Sequence, residues 1–314
     1  MLFIFLERFL FLELKAIFEE LLDAEDSPRA RPIIPTSFIQ ALSRTFPKFS
    51  GNSQHDAHEL LRSLLDKICE EFIETKHAEK MKELFEGSLA SEIICKNCSH
   101  TVSHIIEPFF DISLDIAAPD VESIDLIGKR IDFKHTIENN CFLIRNCAAC
   151  LEKYIASEKL NDVELSCPSC SSTADLYKTL SIENLPCVIC LHLKRFRWDP
   201  PIKVKVNINV NVPSEIDFAK FTTQPESPRL YRLMGYITHH GNRLDFHSLL
   251  SIFLFFLIGK LYRSGSGHYT TNWQVKNEWH NFDDRKVTAV PSEKLSTQRA
   301  YILFYVRTDS LARL

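Results

Sequence analysis

The chain has 314 residues, of which 45% are hydrophobic and 25% are charged, enough for one large domain or two small ones around a sizeable core. This composition argues against intrinsic disorder of the whole chain. Lysine and arginine number 37 against 41 aspartates and glutamates, a net charge of −4, and this balance gives no basic footprint for direct nucleic-acid binding.

Two apolar runs are candidates for a secretory signal or a membrane anchor, and neither fits. Residues 1–6 have no basic residue before them and are followed by Glu7 and Arg8, unlike a signal peptide. The run from Leu249 to Ile258 is 10 residues long, well short of the roughly 20 that span a bilayer. We therefore expect a cytoplasmic or nuclear protein with no membrane partner, where reducing conditions make paired cysteines indicate metal rather than disulfides.

Helices are predicted in the first part of the chain. Residues 2–22 are predicted as an amphipathic or buried helix, a Pro-rich break follows at 27–35, and a short helix near Ser37–Thr45 ends before Pro47. The clearest helix begins after Asp56, which is predicted to cap it, with Glu59 completing a capping box. Its apolar residues recur at the spacing of one buried helix face: Ala57, Leu60, Leu61, Leu64, Leu65, Ile68, Cys69, Phe72 and Ile73.

Strands are predicted from residue 86 onward, because short β-branched and aromatic runs there alternate with turn residues. The predicted strands are Ser91–Cys95, Phe109–Ile116, Cys187–Leu193, Val204–Val212, Tyr231–His239 and Tyr301–Val306. One helix near Cys147–Leu160 interrupts them. Helices first and strands later indicate an α+β fold.

Two Cys-x-x-Cys pairs have the character of a metal site. Cys95/Cys98 and Cys167/Cys170 each enclose polar residues, as in zinc knuckles, where thiolates from two tight turns face each other. The 68 residues between the pairs exceed the common zinc-finger spacing, so the site would join two hairpins at the tip of an inserted subdomain. Ordinary reduced cysteines are the alternative.

Two further Cys-x-x-Cys pairs are predicted to pack in the core. Cys187 and Cys190 lie in a continuous apolar run, and residues three apart on a strand face opposite sides, so one metal cannot easily take both. Cys147 and Cys150 lie at the start of a predicted helix, where small cysteine side chains commonly serve packing.

A histidine and a carboxylate near the C-terminus have the spacing of a catalytic pair. The Gly-rich turn Ser264–Gly267 presents His268, and Asp283 follows 15 residues later after a strand-like stretch. A hairpin would let Asp283 accept a hydrogen bond from the imidazole and fix its tautomer and orientation, as in a nucleophile–base–acid arrangement. Taken alone, the spacing leaves a non-catalytic pair open.

Five segments, in family order, resemble the ubiquitin-specific protease family of cysteine deubiquitinases. They are residues 51–61 (Gly-Asn-Ser-Gln-His-Asp-Ala-His-Glu-Leu-Leu), 107–116 (Glu-Pro-Phe-Phe-Asp-Ile-Ser-Leu-Asp-Ile), 185–196 (Leu-Pro-Cys-Val-Ile-Cys-Leu-His-Leu-Lys-Arg-Phe), 267–269 (Gly-His-Tyr) and 300–306 (Ala-Tyr-Ile-Leu-Phe-Tyr-Val). The first resembles the family's Gln-Gln-Asp-Ala-His-Glu-Phe box, except that His55 and Leu60 stand where the family has Gln and Phe. The resemblance covers about residues 13–307, which leaves an N-terminal segment 1–12 and a tail 308–314 outside it.

The resemblance implies a papain-like cysteine protease with fingers, palm and thumb. A helical thumb remnant would occupy about residues 13–85 and zinc-tipped fingers about 88–180. A palm of antiparallel strands would follow at about 181–307. The activity implied is thiol-dependent hydrolysis of the isopeptide bond after the C-terminal glycine of ubiquitin, by a monomer whose partners are ubiquitin and ubiquitinated proteins.

The resemblance also implies roles for individual residues. His268 would be the general base, Asp283 its orienting acid, and Asp284 would help to hold the oxyanion region. Substrate-binding positions would be Gln54, Asp56, Gly267 and Tyr269, and a structural Zn²⁺ would be held by Cys95, Cys98, Cys167 and Cys170.

The family's nucleophile is missing from the sequence. The family carries Gly-Asn-Thr-Cys near the start of its domain, with the Cys at a helix N-terminus that lowers its pKa and the Asn as an oxyanion-hole donor. No such box occurs here, no cysteine precedes Cys69, and residues 13–22 resemble the segment after the box. We therefore expect a chain that begins too late to hydrolyse ubiquitin conjugates.

A Phe-rich stretch, residues 242–263, is a second departure from the family. It separates His239-His240-Gly241 from Ser264-Gly265-Ser266-Gly267-His268, and its placement is typical of translated intron; residues 1–12 are predicted to share that origin. His239 and His240, just before it, are predicted to be exposed loop histidines. Besides an incomplete deubiquitinase, a ubiquitin-binding pseudoprotease scaffold and a zinc-stapled interaction module remain open.

Overall fold

The computed structural model describes residues 9–25, 35–50, 56–73, 75–116, 145–160, 165–173, 175–199, 202–223, 229–241, 268–283 and 286–311. Some predictions lie outside the described residues; they concern Gln54, Gly267, Asp284, the Pro-rich break and the 242–263 stretch. None of the described helices is long and apolar enough to cross a membrane.

Helices fill the first part of the described chain, as predicted. They are α1 (Phe9–Glu25), α2 (Thr36–Thr45), α3 (Ala57–Phe72), α4 (Ala78–Phe85) and, later, α5 (Cys147–Ile155). The predicted cap of α3 is confirmed, because the Asp56 carboxylate accepts the His58 backbone N–H at 2.7 Å. The other half of the predicted capping box differs, since the Glu59 carboxylate binds Lys48 Nζ at 2.9 Å.

Strands dominate the rest of the described chain. Their bounds are β1 (Gly87–Cys95), β2 (Thr101–Phe109), β3 (Asp111–Leu114), β4 (Arg145–Asn146), β5 (Glu158–Lys159), β6 (Leu176–Asn184), β7 (Val188–Leu193), β8 (Phe196–Asp199), β9 (Ile202–Lys205), β10 (Val210–Asn211), β11 (Glu215–Asp217), β12 (Leu230–His240), β13 (His268–Val275), β14 (Glu278–Asp283), β15 (Lys286–Val290) and β16 (Ala300–Arg307). The predicted class, helices followed by mainly antiparallel strands, is confirmed.

Two sheets carry the architecture. The larger has the order β15-β14-β13-β12-β16-β7-β3, with β11 also pairing β12. Its pairs are antiparallel except for β3 with β7. The smaller sheet has the order β2-β1-β6-β5, and the cysteine pairs Cys95/Cys98 and Cys167/Cys170 lie near one end of it. Strands β8 and β9 form a separate two-stranded ribbon, and so do β10 and β4.

Two hydrophobic clusters lie on the two faces of the large sheet. The first joins α1, α2 and α3 to the sheet and includes Leu64, which is fully buried, together with Tyr269 and Tyr301. The second packs α5 and the segment after β9 against the sheet, and Cys147 and Cys150 belong to it. Cys190 is also buried in the first cluster, so its prediction as a core residue is confirmed.

The predicted strand Val204–Val212 is interrupted, and Arg195 is the physical reason. Arg195 is 2% exposed, and its guanidinium donates to the carbonyl oxygens of Val206 at 3.2 Å and Ile208 at 2.8 Å. It also donates to those of Ala300 at 2.6 Å and Gln298 at 2.8 Å. Carbonyls that bind a guanidinium are not available to a strand ladder, so the chain forms β9 and β10 instead.

One predicted strand is split in the structure, and one predicted helix is shortened. The predicted strand Phe109–Ile116 is split at Phe110, where the chain passes from the small sheet (β2) to the large one (β3). The predicted helix Cys147–Leu160 ends at Ile155, because the next residues pair as β5 with β6. In both places long-range strand pairing overrides the local pattern.

The packing of α3 predicts the effect of a cavity in the helical cluster. Replacing fully buried Leu64 by alanine should lower the free energy of unfolding by about 2–5 kcal/mol, because the surrounding side chains relax only partly into the space. The measurement is urea unfolding followed by circular dichroism. Glu70→Ala on the exposed face of the same helix should change stability by less than about 0.5 kcal/mol, and equal losses for the two variants would contradict the packing.

Candidate functional site

A tight hairpin builds the candidate catalytic pair. Strands β13 and β14 pair antiparallel from Thr271 with Phe282 to Val275 with Glu278. The two residues between them, Lys276 and Asn277, have φ values of 48° and 67°, which is the conformation of a type I′ turn that matches the twist of the strands. This pairing returns the end of β14 to the start of β13.

The hairpin brings His268 and Asp283 into direct contact. His268 Nε2 lies 2.5 Å from Asp283 Oδ1, with the two side chains 36% and 46% exposed. Because a carboxylate only accepts, Nε2 carries a proton in this contact, and in the neutral form of the imidazole the lone pair is then on Nδ1. The hairpin and the hydrogen bond that the sequence predicted are therefore present; the catalytic roles of both residues stay predictions.

Two further histidines flank His268 at the end of β12. His240 pairs with His268 in the strand register, their ring centroids lie 6.2 Å apart, and His240 Nε2 lies 2.9 Å from Thr270 Oγ1. His239 is 2% exposed, and burial, followed by the nearby Lys205, lowers its pKa to about 3. The prediction of an exposed loop histidine is therefore wrong for His239, because strand pairing continues through it.

The predicted substrate-binding residues Asp56 and Tyr269 have contacts inside the protein. The Asp56 carboxylate accepts the Tyr301 hydroxyl at 2.7 and 2.6 Å, in addition to the N–H of His58. Tyr269 is 1% exposed, and burial raises the pKa of its phenol. The contact of Asp56 with Tyr301 docks the N-terminus of α3 on β16, and the substrate-binding roles of Asp56 and Tyr269 stay predictions.

A partly buried polar cluster that the sequence analysis missed joins α3 to the large sheet. His58 Nε2 donates to Asp111 Oδ2 at 2.7 Å, and the His58 ring stacks on His192 with centroids 3.7 Å apart. Ser113 Oγ lies 3.1 Å from Asp111 Oδ2 and 2.9 Å from His192 Nδ1. The members come from three of the family-like segments. The pairing of β3 with β7 brings Asp111, Ser113 and His192 together, and the packing of α3 on the sheet adds His58.

The charges of this cluster favour an ion pair over a metal site. His58, Asp111 and His192 are ligand types with atoms within 4.8 Å of one another. The Asp111 carboxylate, however, is also paired with Arg62 Nε at 3.3 Å, and a guanidinium there opposes a second cation. Burial acts to raise the pKa of Asp111, but the hydrogen bond and charge of His58, with Arg62, lower it overall.

Four cysteines meet where the turns of the small sheet face each other. Cys95 Sγ lies 3.6 Å from Cys170 Sγ, and Cys98 Sγ lies 3.6 Å from Cys167 Sγ. All four are free thiols, and their sulfurs lie within 4.8 Å of one another. The four cysteines that the sequence analysis grouped into one site are therefore the ones that meet in the structure, and the cluster could hold a metal ion.

The two cysteine turns have the same backbone geometry. In each, the residue after the second cysteine has a positive φ, 58° at Ser99 and 57° at Ser171. Each of these serines donates its N–H to the carbonyl of the first cysteine of its turn at 2.8 Å. Such turns place both thiols of a pair on one side, as zinc knuckles do.

The His58–Asp111 pair predicts an acid-sensitive link between α3 and the sheet. His58→Ala should lower the free energy of unfolding at pH 7 by about 1–3 kcal/mol, because it removes a buried donor to a carboxylate. Since the pKa of Asp111 is lowered on folding, its stabilisation is present above the ordinary value of about 4 and is lost as pH falls below it.

Urea unfolding at pH 7 and pH 3 measures both effects. The difference between the wild type and His58→Ala should shrink at pH 3, while His77→Ala in the exposed turn before α4 should change stability little at either pH. A difference that stays constant with pH would contradict the contact between His58 and the Asp111 carboxylate.

Comparisons with curated proteins identify ubiquitin carboxyl-terminal hydrolases as relatives of this chain. Ubiquitin carboxyl-terminal hydrolase 3 of Homo sapiens is 29% identical over 309 residues, covering 88% of this chain and 53% of that protein. Ubiquitin carboxyl-terminal hydrolase 21 of Arabidopsis thaliana is 30% identical over 272 residues, covering 82% of this chain and 31% of that protein. The chain thus spans about half the length of the human relative and less of the plant one.

Solved structures share the fold. The SAGA DUB module of Ubp8, Sgf11, Sus1 and Sgf73 bound to monoubiquitin matches with a TM-score of 0.67 and 24% identity, over 87% of this chain and 52% of the matched chain. A family profile described as ubiquitin carboxyl-terminal hydrolase matches residues 6–305. Because the profile covers nearly the whole sequence, this chain belongs to the ubiquitin carboxyl-terminal hydrolase family.

Proposed function

We propose that this chain carries the base and the ubiquitin-binding surfaces of a thiol-dependent deubiquitinase that cleaves the isopeptide bond after the C-terminal glycine of ubiquitin. The observation that carries the proposal is the hydrogen bond of 2.5 Å between His268 Nε2 and Asp283 Oδ1, in a chain of this hydrolase family. In support, human ubiquitin carboxyl-terminal hydrolase 3 is a relative, and a module of the same fold has been solved with monoubiquitin.

The geometry of the pair fits general acid–base work. With its Nε2–H bound to Asp283, His268 would take the proton of an attacking thiol at Nδ1 and later give it to the departing lysine amine. The Asp283 carboxylate would stabilise the imidazolium formed in between. We assign Asp284 to the oxyanion region, and Gln54, Asp56, Gly267 and Tyr269 to contact with the substrate, on the family resemblance.

The thiol itself has no counterpart in the printed sequence. The 314 residues contain no Gly-Asn-Thr-Cys box, so we propose that this polypeptide binds ubiquitin conjugates without hydrolysing them. A non-catalytic ubiquitin-binding scaffold is the second candidate function. The two candidates differ only in whether a cysteine nucleophile completes the site.

We propose zinc for the four-cysteine cluster. A tetrahedral zinc with thiolates at about 2.3 Å sets its sulfurs about 3.8 Å apart, close to the two Sγ–Sγ distances of 3.6 Å. Cys95, Cys98, Cys167 and Cys170 would hold the ion in a closed site with no open position, so its contribution is to join β1 and β2 to the turn before β6. It takes no part in hydrolysis.

The catalytic proposal is tested with a ubiquitin–aminomethylcoumarin substrate and with immobilised ubiquitin. The chain as printed should bind ubiquitin and release no fluorophore above background. His268→Ala should bind with unchanged affinity, since the imidazole acts on the proton and not on ubiquitin recognition.

Each result of this experiment has a distinct meaning. Hydrolysis that disappears in His268→Ala would overturn the predicted inactivity and support the assigned base. Hydrolysis that survives in His268→Ala would contradict the role of His268. Failure to bind ubiquitin would contradict both candidate functions and leave the zinc-stapled interaction module.

The zinc proposal predicts a coupled loss of metal and stability in Cys167→Ser. One equivalent of zinc per folded chain should fall towards zero, and the thermal midpoint should drop, because metal binding is coupled to folding of the fingers. Zinc content by mass spectrometry and thermal unfolding measure the two quantities. Cys69→Ser, a cysteine on α3 away from the cluster, is the matched control and should keep its zinc; a Cys167 variant that does the same would refute the site.

A further inference from the structure

Among the described residues, the end of β12 beside His268 is paired with a strand on one side only. On one side, β12 pairs with β13 as far as His240 with His268. On the other side, its pairing with β16 stops at Thr238 with Ala300. Among the residues that the structure describes, the last residues of β12 therefore pair with β13 alone, and a strand end of this kind frays unless other groups hold it.

Lys205, the last residue of β9, contacts this strand end. Its Nζ donates to the carbonyl oxygens of His239 at 2.8 Å and Gly241 at 2.6 Å, and to His239 Nδ1 at 2.9 Å. An ammonium group has three donors, so all three are engaged. Carbonyls two residues apart point to the same edge of a strand. Lys205 therefore binds one edge of β12 on both sides of His240.

The edge that Lys205 occupies is the one that β16 leaves open. The ammonium lies in the field of Arg195 and Arg299, and Arg195 binds the carbonyl of Ala300, where β16 begins. His239 accepts the Lys205 donor because its imidazole is neutral, with its pKa lowered to about 3 by burial. The Phe196 ring, 5.8 Å from Nζ, covers the lysine from β8.

We infer that Lys205 is a positioning residue for His268: its ammonium group takes the place of the missing strand at the end of β12 and so fixes the pair that presents the imidazole to Asp283. This inference rests on the proposed role of His268 as the general base. Lys205 acts through His240. This residue lies between the two residues whose carbonyls Lys205 binds, and it pairs with His268 across the two strands.

The inference has a pH signature. Burial, then Arg195 and Arg299, lower the pKa of Lys205 to about 8. Above that pH the neutral amine has two donors and a lone pair facing three acceptors, so one contact turns repulsive. The other groups around it are Arg195, whose pKa of about 10 keeps it charged, Arg299, and the imidazoles of His239 and His240. The contacts of Lys205 with the end of β12, which fix the position of His268, should therefore weaken as pH rises through about 8.

The test is nuclear magnetic resonance of the imidazole nitrogens in the full chain, which separates the two neutral tautomers by their ¹⁵N shifts. In the wild type, the neutral form of His268 should carry its proton on Nε2 alone. In Lys205→Met the two ¹⁵N shifts of His268 should converge, because the ring exchanges between tautomers once Asp283 no longer holds it. Lys205→Arg should restore the separation, and His268→Gln assigns the signals.

Lys220→Met is the matched control. Lys220 is an exposed lysine that also lies over a phenylalanine, with its Nζ 5.0 Å from the Phe221 ring and 3.4 Å from Glu152, so its loss removes the same charge and a similar packing contact. This control should leave the His268 shifts unchanged. Wild-type shifts in Lys205→Met, or an equal convergence in Lys220→Met, would overturn the inference.

A second measurement does not use Lys205→Met and serves if that variant fails to fold. Raising the pH of the wild type from 7 to 9.5 should make the His268 shifts converge with a midpoint near 8, whereas Lys205→Arg should keep them apart. Unchanged wild-type shifts over this range would overturn the inference. No turnover is involved, so the result is independent of whether the proposed hydrolysis is observed.

Discussion

The pairing of β12 with β13 on one side and β16 on the other is the constraint on which the rest of the structure depends. β13 carries His268 and leads through the hairpin to Asp283, while β16 carries Tyr301, which binds the cap of α3. A strand between two others fixes both in register, because a slip of one residue would turn every side chain to the opposite face. The pairings of β12 thus fix both the candidate catalytic pair and the hydrophobic cluster that joins α1, α2 and α3 to the sheet.

Buried polar contacts set the position of the helices on this sheet. Apolar packing around Leu64 favours contact of α3 with the sheet, but it is non-directional. The hydrogen bonds from Tyr301 to Asp56 and from His58 to Asp111 give that contact a fixed position. Because such groups are costly to bury without their partners, they specify one arrangement of α3 relative to β16 and β3, two strands of the sheet that also carries His268. The same reasoning applies to Arg195 and Lys205, which bind the carbonyls where strand pairing ends.

Much of the candidate site could be predicted from the sequence because its signals are local. The N-cap at Asp56 and the stripe of α3 follow from helix periodicity. The two cysteine pairs follow from spacing and polar neighbours, and the His268–Asp283 contact follows from a hairpin of ordinary length. The interruption of the predicted strand Val204–Val212, the burial of His239 and the cluster around Asp111 could not be predicted in this way. Each depends on a partner far along the chain, such as Arg195 bound to Ala300 or Asp111 bound to His58.

The sequence by itself determined the order of helices and strands, the family, the four cysteines that meet and the pair of residues proposed for proton transfer. Only the tertiary structure decided which buried polar groups are satisfied and by what. Lys205 shows the difference, since no local pattern marks it, and it gains its role from carbonyls at His239 and Gly241 that strand pairing leaves open. Periodicity and spacing are properties of neighbouring residues, whereas the partners of a buried charge are chosen by how distant segments pack.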